Sequence, residues 1–271
     1  MKIFKSKHKL QKEILNIKNI SFVPTMGGLH KGHISLIKKS KNFKGKTLVS
    51  IFVNPKQFNE KKDFLRYPCN LKKDLIILKR LNVDFLYISN LKDIFSFRPK
   101  NKIFLDKFSK KLCGKSRKGH FEGVLNVVNR FLEIIKPKYI FLGIKDFQQS
   151  YLINIHILKK KINTKVIHCK TIREKNGVAY STRNSNLNKN EFKIASDVFK
   201  YLKAKKKLIK NKFFNSKFLN IKKDLINLGV TKIDYVELYN PSTLKRPKNK
   251  REKFKVFFAF YLNKTRLIDN I

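Results

Sequence analysis

Two histidines carry the strongest chemical signal in this chain. His30 and His33 stand three apart in Met26-Gly27-Gly28-Leu29-His30-Lys31-Gly32-His33, directly after an apolar run and at the opening of a helical pattern. In a first helical turn that spacing points both imidazoles the same way. The free amides and positive dipole end of a helix N-terminus already favour an anion. Two imidazole donors beside them suit a phosphate chain whose charge rises during reaction. Gly27 and Gly28 permit the turn, and Gly32 lets the backbone approach a ligand. Two histidines in a helix are commonplace by themselves; the order strand, glycine loop, His-x-Gly-His, helix is what reads as nucleotide binding. No Gly-x4-Gly-Lys-Ser/Thr loop or Gly-x-Gly-x-x-Gly fingerprint competes with it.

Further groups fall at similar places. Asn54 and Gln57, in Phe52-Val53-Asn54-Pro55-Lys56-Gln57-Phe58, offer neutral donors and acceptors suited to hydroxyls and a carboxylate. Gly143-Ile144-Lys145-Asp146-Phe147-Gln148-Gln149 again follows a strand and opens a helix; Lys145 there reaches phosphate as a point charge, and Gln149 faces the same cleft one turn on. Tyr180-Ser181-Thr182-Arg183-Asn184 combines hydroxyls with a guanidinium, a phosphate clasp. Arg117 to Val124 is another glycine-containing loop, which either adds charge near a leaving group or caps the following helix.

The elements that must hold these groups follow from the hydrophobic pattern. Continuous apolar runs at 20–23, 47–53, 83–88, 139–142 and 165–168 read as strands covered on both faces. Helical patterns lie between them, at about 32–41, 71–81, 124–135 and 147–158. Such alternation predicts an α/β fold, a Rossmann-like doubly wound parallel sheet with ligands beyond the carboxyl ends of the strands. After about residue 172 the pattern changes: an Asn-rich loop at 184–190, lysine-rich helices at 191–210 and 214–228, and strands at 233–238 and 256–262. The expected division is 1–171, binding nucleotide and substrate, and 172–271, a smaller α+β lid.

The chain has 271 residues and a formal charge of +46, from 64 Lys+Arg against 18 Asp+Glu. Charge of that size suits nucleic acid or an anionic membrane. The lysines are spread along the whole chain among Ile, Asn and Phe, the signature of compositional drift, so only nonspecific nucleic-acid affinity at low salt is expected. Three unpaired cysteines, Cys69, Cys113 and Cys169, and the lack of an apolar run of membrane or signal-peptide length predict a soluble cytoplasmic protein with no membrane partner.

Taken in order, PTMGGLHKGH from Pro24, SIFVNPKQF from Ser50, RYP from Arg66, GKSRKGHFEGV from Gly114, GIKDFQQ from Gly143, STRN from Ser181 and RLIDN from Arg266 resemble the pantothenate synthetase family, among the His-x-Gly-His nucleotidyltransferases. The resemblance implies an AMP-forming ligase: pantoate and ATP give pantoyl adenylate and pyrophosphate, and β-alanine then displaces AMP. It implies ATP binding by Met26 to His33, Gly143 to Asp146, Ile172 and Tyr180 to Arg183. It gives pantoate to Gln57 and Gln149, with Gln57 also near β-alanine. His33 would be the proton donor, Asp74 a magnesium-associated carboxylate, and the assembly a homodimer. His30, His33, Lys145 and Arg183 are the groups expected to carry catalysis. The chain departs from the family at Ile144, where Glu is common, at Thr182, where Ser is, and at Lys118, where Pro is. Two other readings are another His-x-Gly-His nucleotidyltransferase, against which the neutral Gln57 and Gln149 speak, and a basic nucleic-acid-binding protein without catalysis.

Overall fold

The computed structural model describes residues 1–59, 61–211, 220–249 and 251–271. They form two compact units, Met1–Ile172 and Arg173–Ile271.

The first unit is built on six parallel strands: β1 (Lys2–Phe4), β2 (Ile20–Thr25), β3 (Lys46–Ile51), β4 (Phe85–Ile88), β5 (Tyr139–Gly143) and β6 (Lys165–Cys169), in the order β1-β4-β3-β2-β5-β6. Its helices are α1 (Lys7–Ile14), α2 (Lys31–Lys41), α3 (Lys61–Leu65), α4 (Leu71–Arg80), α5 (Leu91–Phe95), α6 (Cys113–Ser116), α7 (His120–Ile135) and α8 (Phe147–Lys159). The strands are apolar throughout, yet alternate residues serve different cores. Phe22, Leu48, Tyr87 and Ile140 pack with α1, α7 and α8, whereas Val23, Val49, Leu86 and Phe141 pack with α2 and α4. Burial on both faces is why the runs show no polar alternation. The order reverses between β2 and β5, which places the ends of those two strands at the switch point, where this architecture leaves a crevice.

Several elements differ from the sequence pattern. β2 runs through Pro24 to Thr25, because Pro24 lies beyond the β5 pairing, which covers only Ser21 and Phe22; no ladder donor is required of it on that side. β3 ends at Ile51, two residues short of the apolar run, and α7 begins four residues early at His120. β1 and α1 lack a strong local signal: β1 is a three-residue edge strand, and α1 buries only Leu10 and Ile14.

The second unit holds an antiparallel sheet of β7 (Lys232–Tyr239), β8 (Lys255–Leu262) and β9 (Thr265–Asn270) with α9 (Lys189–Asn211) and α10 (Ile221–Asn227). Val198, Leu202, Leu225, Phe258 and Phe260 lie in its core. The RLIDN segment is β9, a strand the apolar pattern missed. Its Arg266 pairs with Asp234 at 2.7 Å, and its Asp269 receives a two-pronged grip from Arg173. Of the helix expected over 214–228, residues 221–227 are helical and 212–219 lie outside the described residues.

Candidate functional site

The loop after β2 is held by its own strand end and by one distant carboxylate. Thr25 Oγ1 donates to the Ser50 carbonyl at 2.7 Å and accepts from Gly27 N at 3.2 Å. Asp74, on the first turn of α4, accepts from Gly28 N and Leu29 N, both at 2.8 Å. Gly27 is required here on two counts. Its φ is +76°, and a Cβ would sit 2.7 Å from Cys69 Sγ and 3.1 Å from Asp74 Oδ2.

That loop delivers His30 and His33 to the start of α2 as a reciprocal cap. His30 Nδ1 accepts from Gly32 N at 3.1 Å, and His33 Nδ1 accepts from His30 N at 3.4 Å. The rings lie 4.0 Å apart, centroid to centroid. A nitrogen that accepts from an amide carries no hydrogen, so each neutral ring bears its proton on Nε2. Burial, helped by the Lys145 ammonium and opposed by Asp146, pushes His30 down to about 4. Burial first, then His30 and Lys145, holds His33 well below its ordinary range. Near neutral pH both rings are therefore uncharged Nε2–H donors.

Lys145 lies in the 3₁₀ turn Ile144–Asp146 beyond β5, across the switch point, with its Nζ 3.1 Å from Asp146 Oδ1. The two glutamines that follow have opposite fates. Gln148 is buried; it accepts from Cys113 N and donates to the Phe108 and Lys111 carbonyls. Gln149 is half-buried.

Gln57 sits in the 3₁₀ turn Pro55–Gln57 after β3, and its Nε2 donates to Met26 Sδ in the β2 loop. The Gln57 carbonyl accepts from Arg117 Nη2 at 3.1 Å and from His120 Nδ1 at 2.8 Å. The glycine-containing loop before α7 thus braces Gln57, a role its sequence did not reveal. Asn54 does not share the position expected of it. It is 1% exposed, caps the turn through Lys56 N, and donates to the Gly123 carbonyl. Both ends of its amide serve the protein's own main chain.

Asp74 likewise serves the main chain: it is 1% exposed, and each of its oxygens accepts from a loop amide. Among the described residues no group of three His, Cys, Asp or Glu could hold one. The described residues do not fit a resident magnesium.

Ile172 is the last residue of the first unit. Tyr180, Ser181, Thr182 and Arg183 belong to the second, where Ser181 Oγ accepts from Arg183 N at 3.3 Å to open the 3₁₀ turn Thr182–Asn186. Tyr180 Oη donates to Glu174 at 2.7 Å.

A parallel sheet with His-x-Gly-His capping the helix after its central strand, and a lysine at the facing strand end, defines a phosphate-binding α/β protein. Comparison narrows the class. The sequence model described as pantoate-β-alanine ligase matches residues 2–271. Pantothenate synthetase of Flavobacterium psychrophilum is 39% identical over 94% of this chain and 92% of its own, and that of Fervidobacterium nodosum is 40% identical over 97% and 95%. Among solved structures, pantoate-β-alanine ligase of Francisella tularensis, complexed with β-γ ATP and β-alanine, superposes with a TM-score of 0.85. It is 38% identical over 100% of this chain and 97% of its own. Pantothenate synthetase of Thermus thermophilus superposes at 0.88 with 26% identity over 100% and 99%. This chain belongs to the pantoate-β-alanine ligase family.

Proposed function

We propose that this protein joins pantoate to β-alanine using ATP. Pantoate's carboxylate oxygen bonds to the α-phosphorus as the bond to pyrophosphate breaks. The amine of β-alanine then attacks the acyl carbon of pantoyl adenylate, AMP leaves, and the amine proton passes to solvent or a bound phosphate. The observation that carries this reading is the paired imidazoles at the start of α2, each with Nδ1 engaged by the main chain and its proton on Nε2. Phosphoryl transfer of this kind requires positioning and charge stabilisation more than covalent catalysis. His30, His33 and Lys145 supply donors to the departing pyrophosphate. His33 acts as a neutral hydrogen-bond donor, since burial keeps its ring uncharged. A triphosphate beside it favours the protonated form, so proton donation becomes available only after ATP binds.

Met26 to His33, Gly143 to Asp146 and Ile172 line the ATP-binding surface in this reading. The family resemblance adds Tyr180, Ser181, Thr182 and Arg183 as further ATP-contacting residues. Gln57 and Gln149 take the hydroxyls and carboxylate of pantoate, for which a neutral amide discriminates better than a lysine would. Magnesium would be carried in with ATP and would neutralise charge on its phosphates. We further place the protein in the cytoplasm as a homodimer; its three cysteines are free, as in a reducing compartment, and no helix among the described residues is long and apolar enough to cross a membrane. Sedimentation equilibrium measures the oligomeric state.

The deciding experiment is isotope exchange between pyrophosphate and ATP. It should require pantoate and proceed without β-alanine, whereas pantothenate should form only when β-alanine is added. Exchange that ignores pantoate rejects the proposal.

A further inference from the structure

The 3₁₀ turn that carries Gln57 has two main-chain hydrogen bonds of its own, at 3.3 Å for Gln57 N to the Asn54 carbonyl and 3.1 Å for Phe58 N to the Pro55 carbonyl. It is fastened further by residues 59 to 69 positions away in sequence. Asn54 Nδ2 donates to the Gly123 carbonyl at 3.2 Å, and Asn59 Nδ2 to the Lys118 carbonyl at 2.8 Å. α7 lies so close that a Cβ on Gly123 would be 2.4 Å from the Lys56 carbonyl oxygen and 3.1 Å from Gln57 Cα. Between these fastenings, Arg117 and His120 both donate to the carbonyl of Gln57 and bond each other through Arg117 Nη1 and His120 Nε2 at 3.1 Å.

The protons in this triangle are determined by elementary chemistry. A carbonyl only accepts, so His120 Nδ1 must bear hydrogen. A guanidinium only donates, so His120 Nε2 must be bare. One tautomer of the neutral ring satisfies both, and it is the opposite of the tautomer at His30 and His33. Losing the ring removes one of the two side-chain donors to the Gln57 carbonyl and loosens the turn.

We propose that Arg117 and His120 are positioning residues for the acid substrate: by fixing the main chain of Gln57 they fix the direction of its side-chain amide. This rests on the reading of Gln57 as the pantoate-binding residue. Neither side chain takes part in bond making. Their effect should appear in the use of pantoate and not in that of ATP, whose loop is secured separately by Asp74.

The test is steady-state kinetics on the full chain for Gln57→Ala, His120→Ala, His120→Asn and the Gln57→Ala/His120→Ala double variant, with the melting temperature of each. His120→Ala should raise the KM for pantoate about tenfold, the scale of one lost hydrogen bond, with the KM for ATP within about twofold. His120→Asn, whose amide can still donate to the Gln57 carbonyl, should recover most of the loss. Adding His120→Ala to Gln57→Ala should have no further effect, because the two changes act through one side chain. Equal rises in both KM values, or additive losses in the double variant, overturn the proposal in favour of a general structural role. An unchanged pantoate KM in His120→Ala beside a raised one in Gln57→Ala overturns it while leaving the reading of Gln57 intact. An unchanged pantoate KM in Gln57→Ala removes that reading, and the proposal with it.

Discussion

The loops that follow β2 and β3 are neighbours at the end of one sheet, and they are secured by opposite chemistry. After β2 the main chain presents amides, and an anion grips them: both oxygens of Asp74 accept, from Gly28 N and Leu29 N. After β3 it presents a carbonyl, and donors grip it: Arg117 and His120 converge on Gln57. In each case the gripping side chain is of a type that invites a catalytic reading, and in each it holds main chain in place for its neighbours to act. The lesson is that a carboxylate or imidazole near an active site must first be asked where its lone pairs and protons are already committed. The phosphate side and the acid side can then be perturbed separately.

The largest effect should come from the phosphate side. Lys145→Ala is expected to lower turnover by about 10²–10³, the scale of one donor to a charge that develops in the transition state, with the KM for pantoate little changed. Near-normal turnover would remove Lys145 from the chemistry. Next, Asp74→Asn keeps one acceptor and turns an NH₂ group toward the other loop amide. A buried amide left unsatisfied costs about 1–3 kcal/mol. The variant should melt several degrees lower and use ATP poorly while its KM for pantoate holds. If chelation or magnesium titration changes the variant's defect in proportion to metal, Asp74 is a ligand after all and the two-clamp comparison breaks. On the acid side, Gln57→Ala should raise the pantoate KM about tenfold with ATP affinity retained by calorimetry. Loss of ATP binding in that variant would merge the two sides into one.

The smallest effect separates site histidines from a structural one. Burial holds His30 at about 4 and, with the Lys160 ammonium adding to it, His156 at about 4 as well. His156 is fully buried, accepting from Phe104 N at 3.1 Å and bonded to Asn129 Oδ1 at 3.0 Å. Unfolded, such rings titrate near 6.5. Above that pH both states are neutral and the groups contribute nothing to the pH dependence. Below it the unfolded chain takes up protons that the folded chain refuses, so stability falls progressively from about pH 6.5 to about 4. ATP should soften the part of this decline that belongs to His30 and leave the part that belongs to His156, as melting curves across that range would measure. An ATP-independent acid limb would separate His30 from the phosphates.

The principal strands and the loops of the candidate site were legible because their signals are local. A β-branched run, a glycine pair and a His-x-Gly-His cap are read within ten residues. Those signals placed His30, His33 and Lys145 at the two strand ends that flank the switch point. β1 and β9 were not legible: a three-residue edge strand and a strand carrying Arg266 and Asp269 do not stand out as apolar runs, and pairing with β4 and β8 makes them strands.

The sequence by itself determined the parallel α/β architecture and the family, because these depend on residue order and hydrophobic period. Tertiary structure alone decided what each polar group is free to do. It committed Asn54 to its own turn and Asp74 to two amides, and it separated adjacent glutamines, burying Gln148 among carbonyls and leaving Gln149 half-buried. The physical reason is that hydrogen-bonding capacity is finite and is assigned in space, between residues tens of positions apart, where no local pattern records the partner.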